Sequence, residues 1–422
     1  MPDPRGACPS CHTALTTVRR ARPWCPACEW NLDCFEPDRR PAELGWKFLD
    51  RLSFRVAYRL AGRQFRALAG RALTRNRWTP AGFALWLAAS ALLAFVAGAL
   101  GTGIWLILND FPSVTIVPGV LLVLIAVALW PRLGKVDRSL TQVTRAQAPT
   151  LYRLLDEVAG AVGAPVPQVV SVDGSAGAYC MRAGIRRVRV LNLGVVLWGV
   201  LSPQQRVALL GHEIGHFVNG DIRRGLLTQV PLTTLGRLAD LFRTPRATVS
   251  GPGGWLAALV VPVLLRTVRG VIRSGHIVLV WLALRESQHA EYLADELAAK
   301  AGGGTAFGEL CDTLLLADPL MRTVAQQART GVGVEGWQRA FEATRAELAG
   351  TMTSRRQLSL RDEASLFAGH PPTELRRRMA ESRPYQVATV VLSVADSARI
   401  DVELAGPYEQ IRRDLARGNL LV

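Results

Sequence analysis

The sequence has little of several features that would define a simple class of protein. Lysine is almost missing, with three residues among 50 basic ones, so the net charge of +16 comes from arginine. The Gly-X-Y repeat of collagen and the heptads of a coiled coil are absent. Residues 1–30 carry Cys, Pro and Arg where a secretory signal needs an apolar core, so we expect no such signal. These absences exclude fibrous proteins and small secreted domains.

Cysteine is scarce outside the N-terminal segment, where five of the seven residues lie. A disulfide framework would spread along the chain, so this distribution favours a metal site and a reducing compartment. Two C-x2-C pairs, each with Pro after its first Cys, are typical of a zinc ribbon, here expected over residues 1–40. His12 or Cys34 could replace a ligand. The expected ligands of this structural zinc are Cys8, Cys11, Cys25 and Cys28.

The chain has 422 residues, a length that predicts two or three structural units. Charge is absent from two long stretches of it. Residues 79–109 are uncharged and long enough, as a helix, to cross a hydrocarbon core of ~30 Å. A second uncharged run follows Asp110, so we expect a transmembrane hairpin over 79–131. Arginine flanks both outer ends and the turn carries only Asp110. The positive-inside rule then predicts a multi-pass cell-membrane protein with both termini cytoplasmic, and with them the domain that follows the hairpin.

Residues 41–78, before the hairpin, are predicted to form a basic amphipathic juxtamembrane helix. Arginines recur about once per helical turn beside an apolar face, a pattern that suits an anionic membrane surface. An ordinary solvated helix has the same pattern, but the neighbouring hairpin favours the bilayer as a partner. The residues concerned are Arg51, Arg55, Arg59, Arg63 and Arg66, with Phe48, Leu52, Val56 and Leu60 on the apolar face.

Residues 140–385 have the mixed pattern of a soluble α+β domain that is mostly α. Helical spacing covers 151–162, and two short strands are predicted at 168–172 and 186–193. Residues 386–422 are expected to form a C-terminal extension.

A capping box at Ser202-Pro-Gln-Gln predicts a helix that runs to about Asn219. This helix contains the sequence His-Glu-Ile-Gly-His at 212–216. Because residues four apart share a helical face, His212 and His216 can hold one metal ion, while Glu213 can reach a water bound to that ion.

Catalytic zinc usually takes three protein ligands and keeps one position open. Glu291 and Asp295 lie four apart on a predicted helix that ends at Gly302. One of these carboxylates could bind the ion while the other orients a ligand histidine. An exposed acidic helix face has the same spacing.

These motifs resemble those of the membrane-associated gluzincin peptidases, which include HtpX-type heat-shock proteases and CAAX-prenyl endopeptidases. The resemblance covers about residues 145–385. It rests on three motifs in the family's order, at 211–221, 291–295 and 370–376. It implies a zincin-type metallopeptidase domain with a small edge-strand sheet.

The resemblance also implies roles for individual residues. The zinc ligands would be His212, His216 and Glu291. Glu213 would be the catalytic base, and Asp295 would support the site. His370 resembles an accessory active-site residue, although a structural loop histidine fits the same position.

Three stretches depart from the family pattern. The family's Asn-Ala-aromatic stretch corresponds here to 175–179, and the ribbon is an addition. Where HtpX-like members have two further spans, 255–284 has two apolar runs interrupted by arginine, each too short to cross a bilayer. We expect core or interfacial helices there, with a second hairpin as the less favoured arrangement.

The sequence therefore predicts a membrane-anchored zinc metalloendopeptidase with two zinc ions, one catalytic and one structural. Zinc would activate a water, with Glu213 as general base, in quality control or processing of membrane proteins. Peptide or membrane-protein substrates would add a strand along 186–193. The residues expected to bind them are Arg186, Val188, Val190 and Leu191.

Two other classes of function compete with this prediction. One is a catalytically inactive membrane adaptor that recruits a protein partner through the ribbon. The other is a nucleic-acid binder, which the net charge of +16 suggests. Nucleic acid is not expected as a partner, because the arginines cluster beside membrane segments and only Trp24 and Trp30 could stack on bases.

Overall fold

A computed structural model describes residues 6–40, 42–71, 73, 80–109, 112–130, 140–184, 186–219 and 254–418. The chain divides into two units. The first comprises residues 1–75, 136–221 and 288–422, and the second comprises 76–135 and 222–287. The described residues are mostly helical, with a small four-stranded sheet in the first unit.

The second unit contains two apolar helices, α2 (Pro80–Leu108) and α3 (Ile116–Ala128). Their backbones approach closely because both lack a side chain at the crossing: a Cβ at Gly103 would lie 2.8 Å from the main-chain oxygen of Gly119. Among the described residues, only Gly82–Leu108 is long and apolar enough to cross a membrane. With 13 residues, α3 is a shorter apolar helix of ~20 Å.

Helix α1 (Lys47–Leu68) lies in the first unit, within the predicted segment 41–78. It has two apolar faces rather than one. The apolar face that was predicted from the sequence is largely exposed, whereas a second apolar face is buried against the rest of the first unit. Phe48, Leu52 and Val56 are exposed, and Phe54, Ala57 and Ala61 are buried.

Helix α4 (Pro149–Val162) matches the predicted helix at 151–162. Proline occupies its first turn, where a backbone N–H would have no acceptor within the helix. The helix ends at Gly163, whose φ of 71° favours glycine. Its apolar stripe is buried in the main core and comprises Leu151, Leu154, Leu155 and Val158.

The sheet has the order β1-β2-β4-β3. Its strands are β1 (Thr141–Val143), β2 (Val169–Asp173), β3 (Ala178–Ala183) and β4 (Val188–Gly194). The parallel pair β2–β4 corresponds to the two predicted strands, whereas β1 and β3 were not predicted. Both join the sheet by antiparallel pairing.

The prediction of an exposed substrate-binding edge at 186–193 is wrong. β4 has β2 on one side and β3 on the other, so its backbone groups are already used within the sheet. Arg186 lies in the turn before β4. Alternation of apolar and charged residues reports one buried face, but it does not report which strands lie alongside. The residues to which this correction applies are Arg186, Val188, Val190 and Leu191.

Helix α5 (Val195–Val200) leads into α6 (Pro203–Asn219), which begins at the predicted capping box. The main-chain N–H of Ser202 donates to Gln205 Oε1 at 3.1 Å, and that of Gln205 donates to Ser202 Oγ at 3.4 Å. The predicted start of the metal-motif helix is thereby confirmed.

Helix α7 runs unbroken over Gly254–Gly302 and ends at the predicted glycine. The two apolar runs at 255–284 therefore belong to one helix, and the less favoured arrangement, a second hairpin in this stretch, is wrong. Arginine interrupts the apolar pattern, but it is a good helix former and does not end a helix.

The remaining helices complete the first unit around the sheet. They are α8 (Gly304–Leu314), α9 (Ala317–Arg329), α10 (Val334–Leu348), α11 (Met352–Asp362), α12 (Thr373–Glu381), α13 (Val394–Glu403) and α14 (Ala405–Ala416). The last two share the main core. Helix α13 also supports α4, because Glu403 accepts hydrogen bonds from the main-chain N–H groups of Thr150 and Leu151. The described part of the predicted C-terminal extension, residues 386–418, is thus packed into the same unit.

Candidate metal centres

Helices α6 and α7 pack closely enough to face their polar residues towards one another. A Cβ added at Gly211 would lie 2.9 Å from Ala301 Cβ and 3.0 Å from Ala298 Cα. One turn later, Gly215 lies against Ala294 and Leu297. These small residues let the two helix backbones approach, which brings the histidine motif of α6 opposite the acidic motif of α7.

Three predicted ligands converge between these helices. His212 Nε2 lies 3.3 Å from His216 Nε2, and Glu291 oxygens lie 3.5 Å from the first nitrogen and 3.7 Å from the second. A tetrahedral zinc with bonds of ~2.0–2.2 Å separates its ligand atoms by about 3.3–3.6 Å. All three side chains are buried. The donor set and its spacing therefore fit zinc.

Glu213 is buried between the two histidines along α6, with 4% of its surface exposed. In the described part of the chain, its Oε2 has no hydrogen-bond partner. Its main-chain oxygen accepts from Cys180 Sγ of β3 at 2.8 Å. A buried carboxylate oxygen without a partner is costly unless it serves a ligand or a water, as a general base does.

Asp295 and Arg376 form a buried pair behind His212. Asp295 Oδ1 lies 2.9 Å from His212 Nδ1, and Arg376 makes a bidentate contact with the same carboxylate at 2.6 and 3.0 Å. Burial opposes ionisation of Asp295, but the charge of Arg376 and the hydrogen bond of His212 outweigh it and lower its pKa. An ionised Asp295 accepts the Nδ1 proton of His212 and leaves Nε2 available as a ligand atom. The sequence motif included Arg376 without indicating this contact.

His370 lies in the connection between α11 and α12, at the rim of the site. Its Nδ1 is 2.5 Å from Glu291 Oε2, and its side chain is 53% exposed. Burial opposes ionisation of Glu291, but the charges of His216 and His370 hold the pKa of this carboxyl well below its usual range. The structure thus places His370 beside a predicted ligand.

β3, which the sequence did not reveal as a strand, runs beside the metal-motif helix. Arg182 Nη2 of β3 donates to the main-chain oxygen of Phe217 at 3.2 Å, and Cys180 makes the contact with Glu213. The only sequence signal near it was the departure from the family pattern at 175–179.

The four predicted ribbon cysteines also converge. Cys8 Sγ lies 3.6 Å from Cys28 Sγ, and Cys11 Sγ lies 3.3 Å from Cys25 Sγ. Zinc–thiolate bonds of ~2.3 Å place sulfur atoms about 3.8 Å apart in a tetrahedron, so four thiolates fit one ion. Cys34 contacts Glu36 rather than this cluster.

The local backbone explains how the two C-x2-C turns form. The residue after each second cysteine has a positive φ, 61° at His12 and 57° at Glu29, which turns the chain back over the sulfur atoms. Hydrogen bonds with the side chain and backbone of Thr13 lower the pKa of the Cys11 thiol to about 6. A thiolate at neutral pH is the form that binds metal.

Comparison with known proteins finds one peptidase family over more than half of the chain. The profile of peptidase family M48 matches residues 145–384. A protease HtpX homolog from Syntrophobacter fumaroxidans is 26% identical over 250 residues, covering 57% of this chain and 78% of the relative. A second from Bordetella petrii is 25% identical over 236 residues, covering 54% and 68%. One from Pyrococcus furiosus is 24% identical over 231 residues, covering 53% and 75%.

No solved structure matches the chain. The family profile includes the helix with both histidines, the helix with Glu291 and Asp295, and the segment with His370 and Arg376. Peptidases of this family use zinc, which agrees with the buried donor set between α6 and α7. The chain therefore belongs to peptidase family M48 and is an HtpX-type gluzincin metallopeptidase.

Proposed function

We propose that the protein is a membrane-anchored zinc endopeptidase that cleaves peptide bonds at the cytoplasmic face, in quality control or processing of membrane proteins. The observation that carries the proposal is the convergence of His212, His216 and Glu291 on one buried point within an M48 domain. The buried Glu213 carboxylate completes the set of groups that peptide hydrolysis needs.

A zinc ion bound by His212, His216 and Glu291 would polarise the scissile carbonyl and lower the pKa of a bound water towards ~7. Glu213 would take the proton from the attacking water and deliver it to the leaving amine. Its Oε2 is available for this role because it has no hydrogen-bond partner among the described residues. No covalent bond between enzyme and substrate is required.

The surrounding residues would hold the ligands in place. Asp295, held by Arg376, would orient His212 through Nδ1. His370 would orient Glu291 and, being half exposed, would lie on the side from which substrate enters.

Anchoring to the membrane is supported by α2 and α1. Gly82–Leu108 is long enough to cross the bilayer, and α3 with its uncharged flanks at 112–115 and 129–130 would return through it. Large apolar side chains are exposed at the start of α1: Trp46, the residue before the helix, is 73% exposed and Phe48 is 75% exposed. Arginines interleave with them, so this face suits the surface of an anionic bilayer.

The test is proteolysis of unfolded casein by the full chain in detergent micelles, with zinc content measured in parallel. The wild-type protein should cleave casein, and Glu213→Gln should keep its zinc and lose activity by about 10²–10⁴-fold, as expected for loss of a general base. Cleavage by Glu213→Gln at the wild-type rate, or no cleavage by zinc-loaded wild-type protein, would contradict the proposal.

A further inference from the structure

The ribbon (residues 6–40) packs against the peptidase helices α11 and α12. Trp24 and Leu32 of the ribbon are 0% exposed, and they share one apolar cluster with Leu358 and Leu360 of α11 and Leu375 of α12. A ribbon that only recruits other proteins would present such side chains to solvent. Here the apolar interior of the ribbon is completed by its own chain.

Arg361 of α11 is the centre of the polar contacts across this interface. Its side chain is 1% exposed, and the guanidinium lies 5.3 Å from the centre of the Trp24 ring. It donates to three main-chain oxygens of the ribbon and to the Glu36 carboxylate. The three acceptors are Arg22 at 3.0 Å, Asn31 at 2.7 Å and Leu32 at 3.0 Å. One buried side chain therefore fixes three points of the ribbon backbone.

Two further side chains, Gln357 of α11 and Arg378 of α12, reach the second C-x2-C turn and its flanks. Gln357 Nε2 donates to the main-chain oxygen of Pro26, which lies inside that turn, at 2.8 Å, and Gln357 Oε1 accepts from Trp24 Nε1 at 2.9 Å. Arg378 of α12 donates to Glu29, the residue after Cys28, at 2.7 Å. The metal-binding turn is thus bonded to both helices.

The same two helices deliver residues to the catalytic site. Their connection carries His370, which contacts Glu291, and α12 carries Arg376, which holds Asp295. Within the pair, Glu363 accepts from the main-chain N–H of Thr373 at 2.6 Å. The position of the connection therefore depends on how α11 and α12 are held.

Among the described residues, the ribbon has only two isolated β-bridges, Ala7–Ala14 and Thr16–Trp24, as its strand pairing. So small a fold depends on its metal for stability. We propose that the four-cysteine ribbon is an intramolecular brace for the α11–α12 connection, with Arg361 as its positioning residue, so that efficient peptide hydrolysis requires metal in the ribbon. The effect on hydrolysis rests on the proposed function, whereas the bracing itself does not.

The test uses the full chain in detergent micelles, comparing wild type with four variants. Cys25→Ser/Cys28→Ser removes the ribbon metal, Arg361→Met removes the contacts, and Arg361→Lys keeps the charge with fewer donors. Arg355→Met is the matched control, because Arg355 lies on α11 but bonds to Thr351 of its own helical turn. The measurements are kcat and KM, zinc content and amide hydrogen exchange.

We expect kcat to fall about 10–100-fold in the double cysteine variant and in Arg361→Met with little change in KM, because displaced site residues impair the reaction more than binding. Arg361→Lys should lie between these variants and wild type. Exchange should accelerate at 363–376 while α4 stays protected, and the zinc of the catalytic centre should remain. Arg355→Met should match wild type in every measurement.

Wild-type kcat and wild-type exchange at 363–376 in the double cysteine variant would overturn the brace. Equal acceleration of exchange in α4 and in the connection would also overturn it, because the ribbon would then support the whole unit and not this segment. If wild-type protein cleaves no substrate, the proposed function fails, and the exchange pattern alone decides whether the ribbon braces the connection.

Discussion

The two candidate metal centres of this chain each bring potential ligands to one point, but they do so in different ways. The candidate catalytic centre offers three ligands from two closely packed helices, and all of them are buried. The ribbon centre takes four thiols from two turns, and Cys11 and Cys28 are exposed. Three ligands leave a tetrahedral position for a water, whereas four thiolates close the site. An open set of three ligands is typical of a catalytic zinc site, and a closed set of four thiolates is typical of a structural one.

Their surroundings differ in the same sense. Behind His212, the catalytic centre has Asp295 and Arg376, and beside its ligands it has a carboxylate, Glu213, whose Oε2 has no partner in the described chain. The ribbon has short hydrogen bonds from its own turns, such as Cys8 N–H to Thr13 O at 2.8 Å. We therefore expect a substitution or a chelator to affect zinc binding at one site without affecting it at the other.

The largest effect should come from Glu291→Ala. Without the third ligand, the two histidines hold zinc weakly, so catalytic zinc and peptidase activity should be lost together while the ribbon ion remains. Elemental analysis should show about one zinc per chain in place of about two. Glu296→Ala, one turn and a residue further along α7, should keep both ions. Full zinc content and activity in Glu291→Ala would show that the ligand lies elsewhere.

Asp295→Asn should have the next largest effect, since it weakens the partner that orients His212. Loss of such a partner lowers zinc affinity by roughly 10–100-fold, here at the catalytic centre alone. Competition with a fluorescent zinc chelator measures the affinity. Asp401→Asn is the control, because Asp401 also pairs with a buried arginine, Arg206, but not near either centre. An equal loss in both variants would refute the role of Asp295.

Chelation should distinguish the open centre from the closed one kinetically. A bidentate chelator such as phenanthroline can attack an ion that has a vacant position, so catalytic zinc should leave at least about tenfold faster than ribbon zinc. Activity should therefore vanish while about one zinc ion per chain remains bound. Simultaneous release of both ions would remove the distinction between the centres.

The smallest effect should come from Thr13→Ala in the ribbon. The side-chain and backbone hydrogen bonds of Thr13 lower the pKa of Cys11 to about 6. Alanine keeps the backbone bond but loses the side-chain bond, so the substitution raises that pKa and lets protons compete with zinc. The stabilising effect of a depressed pKa is present at high pH and is lost as the pH falls through about 6. Ribbon zinc affinity near pH 6.5 should fall about fivefold, as for one hydrogen bond of about 1 kcal/mol.

Thr17→Ala serves as the matched control for that measurement, because Thr17 Oγ1 donates to the main-chain oxygen of Ala21 within the ribbon, away from the sulfur atoms. Titration of zinc between pH 6 and pH 8 should show a steeper decline for Thr13→Ala than for Thr17→Ala. Parallel curves would mean that Thr13 does not govern the Cys11 thiolate.

The sequence predicted the elements whose signals are local. The capping box at Ser202, the stop at Gly163 and the four-residue spacing of His212 and His216 each act within one or two helical turns, and the structure has the corresponding helices. The convergence of three motifs could be expected only through their resemblance to a family.

What the sequence did not predict depends on distant partners. β4 is internal because β3 pairs with it, and the short sequence of β3 has no clear alternation of its own. The role of Arg376 depends on Asp295, 81 positions earlier in the chain. The ribbon packs on α11 through Arg361, more than 300 positions away, and no pattern along the chain reports such a contact.

The glycines that let α6 and α7 approach also affect how closely the candidate metal ligands can surround an ion. Since the Cβ of any larger residue at Gly211 would meet Ala301 at 2.9 Å, the two helices would have to move apart, and Glu291 would retreat from both histidines. The distance between the axes of α6 and α7 therefore helps to set the distance between the candidate ligand atoms on the two helices. Calcium prefers six to eight oxygen ligands at ~2.3–2.6 Å, and two imidazoles with one carboxylate do not offer such a set. The separation of the candidate ligands thus depends on two positions, Gly211 and Gly215, that carry no side chain.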